Sequence, residues 1–85
     1  MSELSKLKNV GKVLEGNLLA VGIETPQQLR EIGVKEAFMR IRLKQDPGAC
    51  LHMLYGLQGA ILDIPDSLLS VETKQELQIF FKKLK

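Results

Sequence analysis

The sequence has 85 residues, a length that accommodates one domain and leaves no room for a second hydrophobic core. Hydrophobic residues make up 45% and charged residues 26% of the chain, an ordinary globular composition that excludes disordered, collagen-like and low-complexity proteins. The net charge of +2 is too small to indicate nucleic-acid binding by itself.

The numbers of cysteine and histidine residues bear on disulfide formation and metal binding. Cys50 is the only cysteine, so it cannot form an internal disulfide, and His52 is the only histidine. One residue of each kind does not supply the ligands of a zinc site. No apolar run approaches the roughly 20 residues that a membrane helix needs, and residues 1–6 hold no apolar leader core. We therefore expect a reduced, cytoplasmic protein without metal, cofactor or membrane contact.

Helical periodicity predicts two helices in the first part of the chain. The first carries apolar residues at helical spacing: Val10, Val13, Leu14, Leu18 and Val21. Gly22 suits the left-handed position that ends such a helix. The second begins at Thr25, whose side chain can cap it, has Pro26 in its first position, and ends at Gly33.

Two further helices are predicted in the middle of the chain. The third has on its inward face Ala37, Phe38 and Ile41. It ends near Asp46, because Pro47 disfavours helical geometry at the residue before it. The fourth carries an apolar stripe wide enough to be central: Cys50, Leu51, Met53, Leu54, Leu57, Ala60 and Ile61.

Gly56 and Gly59 fall within the fourth helix, where each costs about 1 kcal/mol relative to alanine. They indicate either that another helix packs closely there or that the helix breaks. Pro65 ends this segment, and Ser70 can cap a final helix. The apolar face of that helix comprises Leu77, Phe80, Phe81 and Leu84. Residues 1–85 are therefore expected to form one all-α domain, a compact bundle of five to six short helices.

Charged residues fall in blocks along the chain. Residues 1–14 and 32–44 are basic, whereas residues 45–73 contain no Lys or Arg and carry four carboxylates. The end of the predicted third helix holds a candidate basic surface formed by Arg40, Arg42 and Lys44. Two interpretations stay open: an anion-binding face, or charges that only keep a small helical protein solvated.

The segment before the first predicted helix has the most specific local pattern. Residues 7–13 read Leu-Lys-Asn-Val-Gly-Lys-Val, which is similar to a helix-hairpin-helix motif. In that motif a tight turn leaves backbone N–H groups free to bind a phosphate at the start of the second helix. Asn replaces the usual first glycine, which is tolerable because Asn adopts left-handed geometry readily. The candidate phosphate ligands are Lys8, Asn9, Val10, Gly11 and Lys12.

The same residues also fit an ordinary turn between helices with two incidental lysines. Helix-hairpin-helix folds serve protein interaction as well as DNA binding, and a single motif binds DNA weakly. Residues 55–59 hold two glycines but no neighbouring Lys or Arg, so they do not form a second phosphate-binding turn. Both interpretations of the turn stay open.

Longer segments closely resemble the C-terminal domain of the TfoX/Sxy family of DNA-transformation and competence regulators. They are residues 7–13, 21–30, 32–38, 46–51 and 54–61. The resemblance implies a helix-hairpin-helix-like or SAM-like bundle, and a role in DNA uptake or transcription through DNA phosphate or a regulatory protein. Full-length members of the family carry this domain after an N-terminal α+β domain, which is not found in these 85 residues.

No combination of side chains points to catalysis. Cys50 lies on the predicted apolar stripe, which indicates a buried structural thiol. His52 falls on a different helical face and does not pair with it. Asp63 and Asp66 flank Pro65 and are typical of turn and capping residues. We therefore expect a binding module and not an enzyme.

Met39 and Leu43 lie off the inward face of the predicted third helix and are a candidate apolar patch for a partner or a second copy. Two functional hypotheses remain. One is weak, sequence-independent binding of the DNA backbone; the other is protein interaction or self-association without DNA contact.

Overall fold

The computed structural model describes residues 3–84, which fold into five α-helices joined by short turns. The helices are α1 (Lys12–Ala20), α2 (Pro26–Ile32), α3 (Val34–Lys44), α4 (Leu51–Leu62) and α5 (Val71–Lys82). Short 3₁₀ turns precede α1 at Glu3–Lys6 and α5 at Asp66–Leu68. Residues 3–84 contain no strand, and the predicted all-α bundle is confirmed. Within the same range, no helix is long and apolar enough to cross a membrane.

Three predicted helix boundaries depend on particular end residues, and the structure confirms each. Thr25 caps α2, because the Gln28 N–H donates to its Oγ1 at 3.1 Å. Ser70 caps α5 in the same way, since its Oγ accepts from the Thr73 N–H at 3.1 Å. Gly22 follows α1 with a φ of +84°, a left-handed geometry that glycine adopts without strain.

The prediction for the first helix is wrong in two respects. α1 begins at Lys12, and Val10 lies buried in the turn before it. Val13, which was expected to face the core, is 78% exposed. The buried stripe of α1 contains Leu14 and Leu18, and Val13 lies about 100° around the helix from Leu14. Its side chain is therefore turned away from the core.

Cys50 is not the buried thiol that the apolar stripe predicted. It is exposed and occupies the N-cap position of α4, with extended φ and ψ angles of −105° and 172°. A turn at Pro47 and Gly48 precedes it, so α4 begins only at Leu51 and its buried face only at Leu54. The first residue of the stripe therefore lies before the helix, where its side chain reaches solvent.

α4 occupies the middle of the bundle, as its apolar sequence predicted. It packs against α2, α3, α5 and the 3₁₀ turn at Asp66–Leu68. Its fully buried side chains are Leu54, Leu57 and Ala60. The other fully buried side chains of the core are Leu4, Leu18, Ile23, Leu29, Ala37, Phe38 and Ile41. Among the described residues no polar or charged side chain is buried with them, so the core rests on hydrophobic burial.

Gly56 and Gly59 lie in an unbroken helix, and the segment packed against them is not another helix. A Cβ at Gly59 would collide with the side-chain amide of Asn9 and would lie 2.7 Å from the Ile64 carbonyl oxygen. A Cβ at Gly56 would lie 3.7 Å from the Asn9 Cβ, an ordinary contact. The expected close approach is present, but it involves the turn before α1 and the loop after α4.

Gly59→Ala should lower the free energy of unfolding by about 1–2 kcal/mol, because overpacking against backbone atoms costs more than alanine gains over glycine in a helix. Gly16→Ala in α1 is the matched control. No atom lies within 4 Å of the Cβ added there, so this variant should be more stable than the parent. Urea denaturation of the three proteins measures both changes. Equal stabilisation by the two substitutions would contradict the close packing at Gly59.

Candidate functional site

The candidate site begins at the turn between Glu3–Lys6 and α1. Asn9 has a φ of +69°, the left-handed geometry expected of it. Gly11 is the N-cap of α1, and its extended φ and ψ angles of −92° and −173° do not require glycine. The element before the turn is a four-residue 3₁₀ turn. Within the described residues, the segment therefore has a left-handed turn residue but not the leading α-helix of a helix-hairpin-helix motif.

The Asn9 side chain is hydrogen-bonded to α4 and to the loop that follows it. Its Nδ2 donates to the Ile64 carbonyl at 3.0 Å and to the Gly56 carbonyl at 3.4 Å. Its Oδ1 accepts from the Asp66 N–H at 3.1 Å. These contacts, which we call the Asn9 clamp, join residues 47 to 57 positions apart. The amide is therefore engaged within the domain.

The backbone N–H groups proposed to bind phosphate differ in their surroundings. The Val10 N–H donates to the Leu7 carbonyl at 3.4 Å and so belongs to the turn. The first hydrogen bond of α1 runs from the Glu15 N–H to the Gly11 carbonyl at 2.9 Å. The N–H groups of residues 11–14 therefore have no acceptor within the helix, and Gly11 has no side chain that could cap them.

The first turns of α1 and α4 border an open groove of about 550 Å³, which we call the α1/α4 groove. One wall comprises Gly11, the N-cap of α1, with Lys12, Val13 and Leu14; the other comprises Cys50, the N-cap of α4, with His52 and Met53. Asn9 and Asp66 also line it, so the Asn9 clamp lies at its edge. The lining is mostly apolar. Grooves of about this size commonly accept a ligand or the side chains of a partner.

The two sides of the α1/α4 groove carry opposite charges. Lys12 lies on the α1 side, and Lys8 is exposed in the turn before it. On the other side, Asp66 Oδ2 lies 3.8 Å from His52 Nε2. The Asp66 side chain is only 27% exposed, whereas that of His52 is 85% exposed. The Asn9 clamp holds the backbone N–H of Asp66, and this residue also lines the groove.

Within the described residues, the groove does not bring together a metal-binding set of side chains. Cys50 lines it as an exposed free thiol. Across residues 3–84, no three His, Cys, Asp or Glu side chains lie close enough to share a metal ion. Asp63 ends α4 with a left-handed φ of +58°, which is the turn role expected of it. What the groove offers is an apolar surface between two charged edges.

The predicted basic surface on α3 is partly engaged within the domain. The Arg40 Nε donates to Glu36 Oε2 at 3.0 Å, one helical turn earlier. The Arg42 guanidinium lies 5.9 Å from the centre of the Phe81 ring. Lys44 ends α3 in an exposed position. Intradomain contacts therefore account for two of the three cations.

A second, smaller concavity of about 230 Å³ is lined by α3 and α5. Lys35 spans it, with its Nζ 3.6 Å from Glu76 Oε1 and 5.5 Å from the centre of the Phe80 ring. The apolar patch predicted on α3 is only partly present, because Leu43 is 75% exposed but Met39 is half-buried. The concavity between α3 and α5 is less than half the volume of the α1/α4 groove.

Sequence reasoning found the α1 side of the groove and missed the α4 side. The sequence pattern gives His52 no catalytic partner, places Met53 on the apolar stripe and indicates a turn role for Asp66. The available signal was the glycine pair at 56 and 59, which indicates that another segment comes close. The pair does not say which segment, and no local pattern connects Asn9 to it.

Comparison with known proteins gives the chain a family context. Residues 1–81 match the TfoX C-terminal domain family. The chain is 36% identical over 74 residues to protein Sxy of Escherichia coli strain K12, and the match covers 87% of this chain and 35% of that protein. The chain therefore spans about a third of the length of this curated relative.

Two crystal structures from Listeria monocytogenes have the same fold. One is of an uncharacterized protein in a triclinic form, with a TM-score of 0.92 and 44% identity over 95% of this chain and 91% of that chain. The other is of a protein of unknown function in a tetragonal form, with the same TM-score and identity over 96% and 99% of the two chains. Almost the whole bundle therefore recurs in solved structures.

Proposed function

Because the chain belongs to the TfoX C-terminal domain family, we propose that it is a non-enzymatic binding module of a competence-type regulator and docks another protein in the α1/α4 groove. The observation that carries this proposal is Val13, an apolar side chain that is 78% exposed at the wall of an apolar groove. Exposed apolar surface beside a concavity is typical of protein interaction sites.

The energetics favour a partner at this position. Burial of a fully exposed Val side chain contributes about 1.5–3 kcal/mol, and Val13 has most of that surface still in water. Met53 on the facing wall is half-buried and has further apolar area to cover. An exposed free thiol at Cys50 accords with a reducing, cytoplasmic setting for such a complex.

Val13→Glu should weaken partner binding at least tenfold, which corresponds to about 1.4 kcal/mol, because it places a charge where the partner would bury an apolar group. Val71→Glu is the matched control. Val71 is 65% exposed and also lies in the first turn of a helix, where Glu is tolerated or favourable. A partner captured from the native organism would be purified and titrated against the parent and both variants.

The expected result is equal binding by the parent and Val71→Glu and loss with Val13→Glu. A purified partner that binds the two variants equally would contradict docking in the groove. Light scattering of the domain alone tests self-association. A dimer that becomes a monomer on Val13→Glu would identify a second copy of the chain as the partner.

DNA backbone binding is a second candidate function. It is favoured by the exposed Lys8 and Lys12, which lie beside N–H groups that have no acceptor within α1. The basic residues Arg40, Arg42 and Lys44 would extend such a surface. The groove beside them is lined mostly by apolar groups, which favour an apolar occupant over a phosphate. Protein docking therefore has the stronger geometric support.

If the turn contacts phosphate, Lys12→Glu should weaken association with a DNA duplex. It should also reduce by about one the slope of the logarithm of the binding constant against the logarithm of the salt concentration. Lys83→Glu makes the same charge change at an exposed position on the α3/α5 side of the domain. Fluorescence anisotropy at about 50 and 200 mM salt compares the two variants. Equal losses would indicate general charge attraction, and no association at low salt would rule out this second candidate.

A further inference from the structure

The walls of the α1/α4 groove require an apolar occupant. Val13 and Leu14 form the α1 wall, and Met53 lies on the α4 wall. Gly56 also lines the groove and adds no side chain to fill it. A polar group placed against Val13, Leu14 or Met53 would lose hydration without gaining a hydrogen bond to these side chains. We therefore expect an occupant to present apolar side chains to this part of the lining.

The α1 side of the groove carries the positive charge of two lysines. Lys8 and Lys12 are exposed, and neither takes part in an ion pair within the part of the chain that the structure describes. The opposite side is lined by the Asp66 carboxylate, which has the opposite sign. In the smaller concavity, by contrast, Lys35 is paired with Glu76. The α1 side is therefore where an acidic group of a partner would gain most.

From this charge polarity we infer the chemistry of the partner: a protein segment with apolar side chains that cover Val13 and Met53, and an acidic residue whose carboxylate lies beside Lys12. The inference rests on the proposed docking function and adds to it the sign and position of the charge. The Asp66 carboxylate would repel a second acidic group on its side of the groove. The acidic end of the segment therefore lies at Lys12, which fixes the direction of the segment.

Three labelled peptides of equal length test this chemistry. The first has Leu and Phe on one side and Glu at one end; the second has Lys in place of Glu; the third has Ser in place of Leu and Phe. Fluorescence anisotropy gives the affinity of each for the parent domain, for Lys12→Glu and for the control Lys83→Glu. Among these peptides the parent should bind the acidic apolar one most tightly.

The decisive result is a reversal of preference. Lys12→Glu should lower the affinity for the acidic apolar peptide by about fivefold, as expected for one charge contact at a protein surface. It should raise the affinity for the peptide that carries Lys by a similar factor. Lys83→Glu should change neither affinity. Reversal at Lys12 alone would assign the carboxylate of the partner to that position.

Three outcomes would overturn the inference. They are equal binding of the acidic and basic peptides by the parent, loss of both on Lys12→Glu, and undiminished binding of the Ser-substituted peptide. Failure here is distinguishable from failure of the proposed function. A purified natural partner that is lost on Val13→Glu but unaffected by Lys12→Glu leaves protein docking in place and removes only the acidic contact.

Discussion

The arrangement of the functional surface depends on the Asn9 clamp. The core of the described residues is apolar throughout, and hydrophobic burial is not directional. It favours contact between the turn before α1 and the face of α4, but it does not fix where the turn lies along that face. The hydrogen bonds of Asn9 to Gly56, Ile64 and Asp66 supply that direction. They set the position of the turn, and with it the α1 wall of the groove.

Several features of the sequence follow from this contact. Asn9 adopts a left-handed φ of +69°, which carries its amide onto α4 and still allows a side chain at that position. A Cβ at position 59 would collide with that amide. The central helix therefore has glycine there, although glycine disfavours helical structure. Asp66 is held beside the turn by its own N–H, and its carboxylate gives the groove one acidic side. The clamp thus sets the position of the turn before α1 relative to Asp66, which lines the same groove.

Local rules predicted much of the fold and half of the candidate site. Caps at Thr25 and Ser70 and the left-handed end at Gly22 depend on neighbouring residues, so they could be found in the sequence. The predictions for Val13 and Cys50 are wrong because a shift of one or two residues in the start of a helix changes which side chains face the core. The bonds from Asn9 join segments 47 to 57 positions apart, and no periodicity or turn signal connects residues at that distance.

Replacement of Asn9 by glycine tests the central claim most directly, because two effects on the free energy of unfolding have opposite signs. If only the backbone geometry at φ +69° matters, glycine should leave stability unchanged or raise it slightly, since glycine adopts that geometry more easily. If the clamp holds the turn to α4, Asn9→Gly should lower the free energy of unfolding by about 1–3 kcal/mol. The Asp66 amide should then lose protection from hydrogen exchange. A variant as stable as the parent, with that amide still protected, would contradict the account.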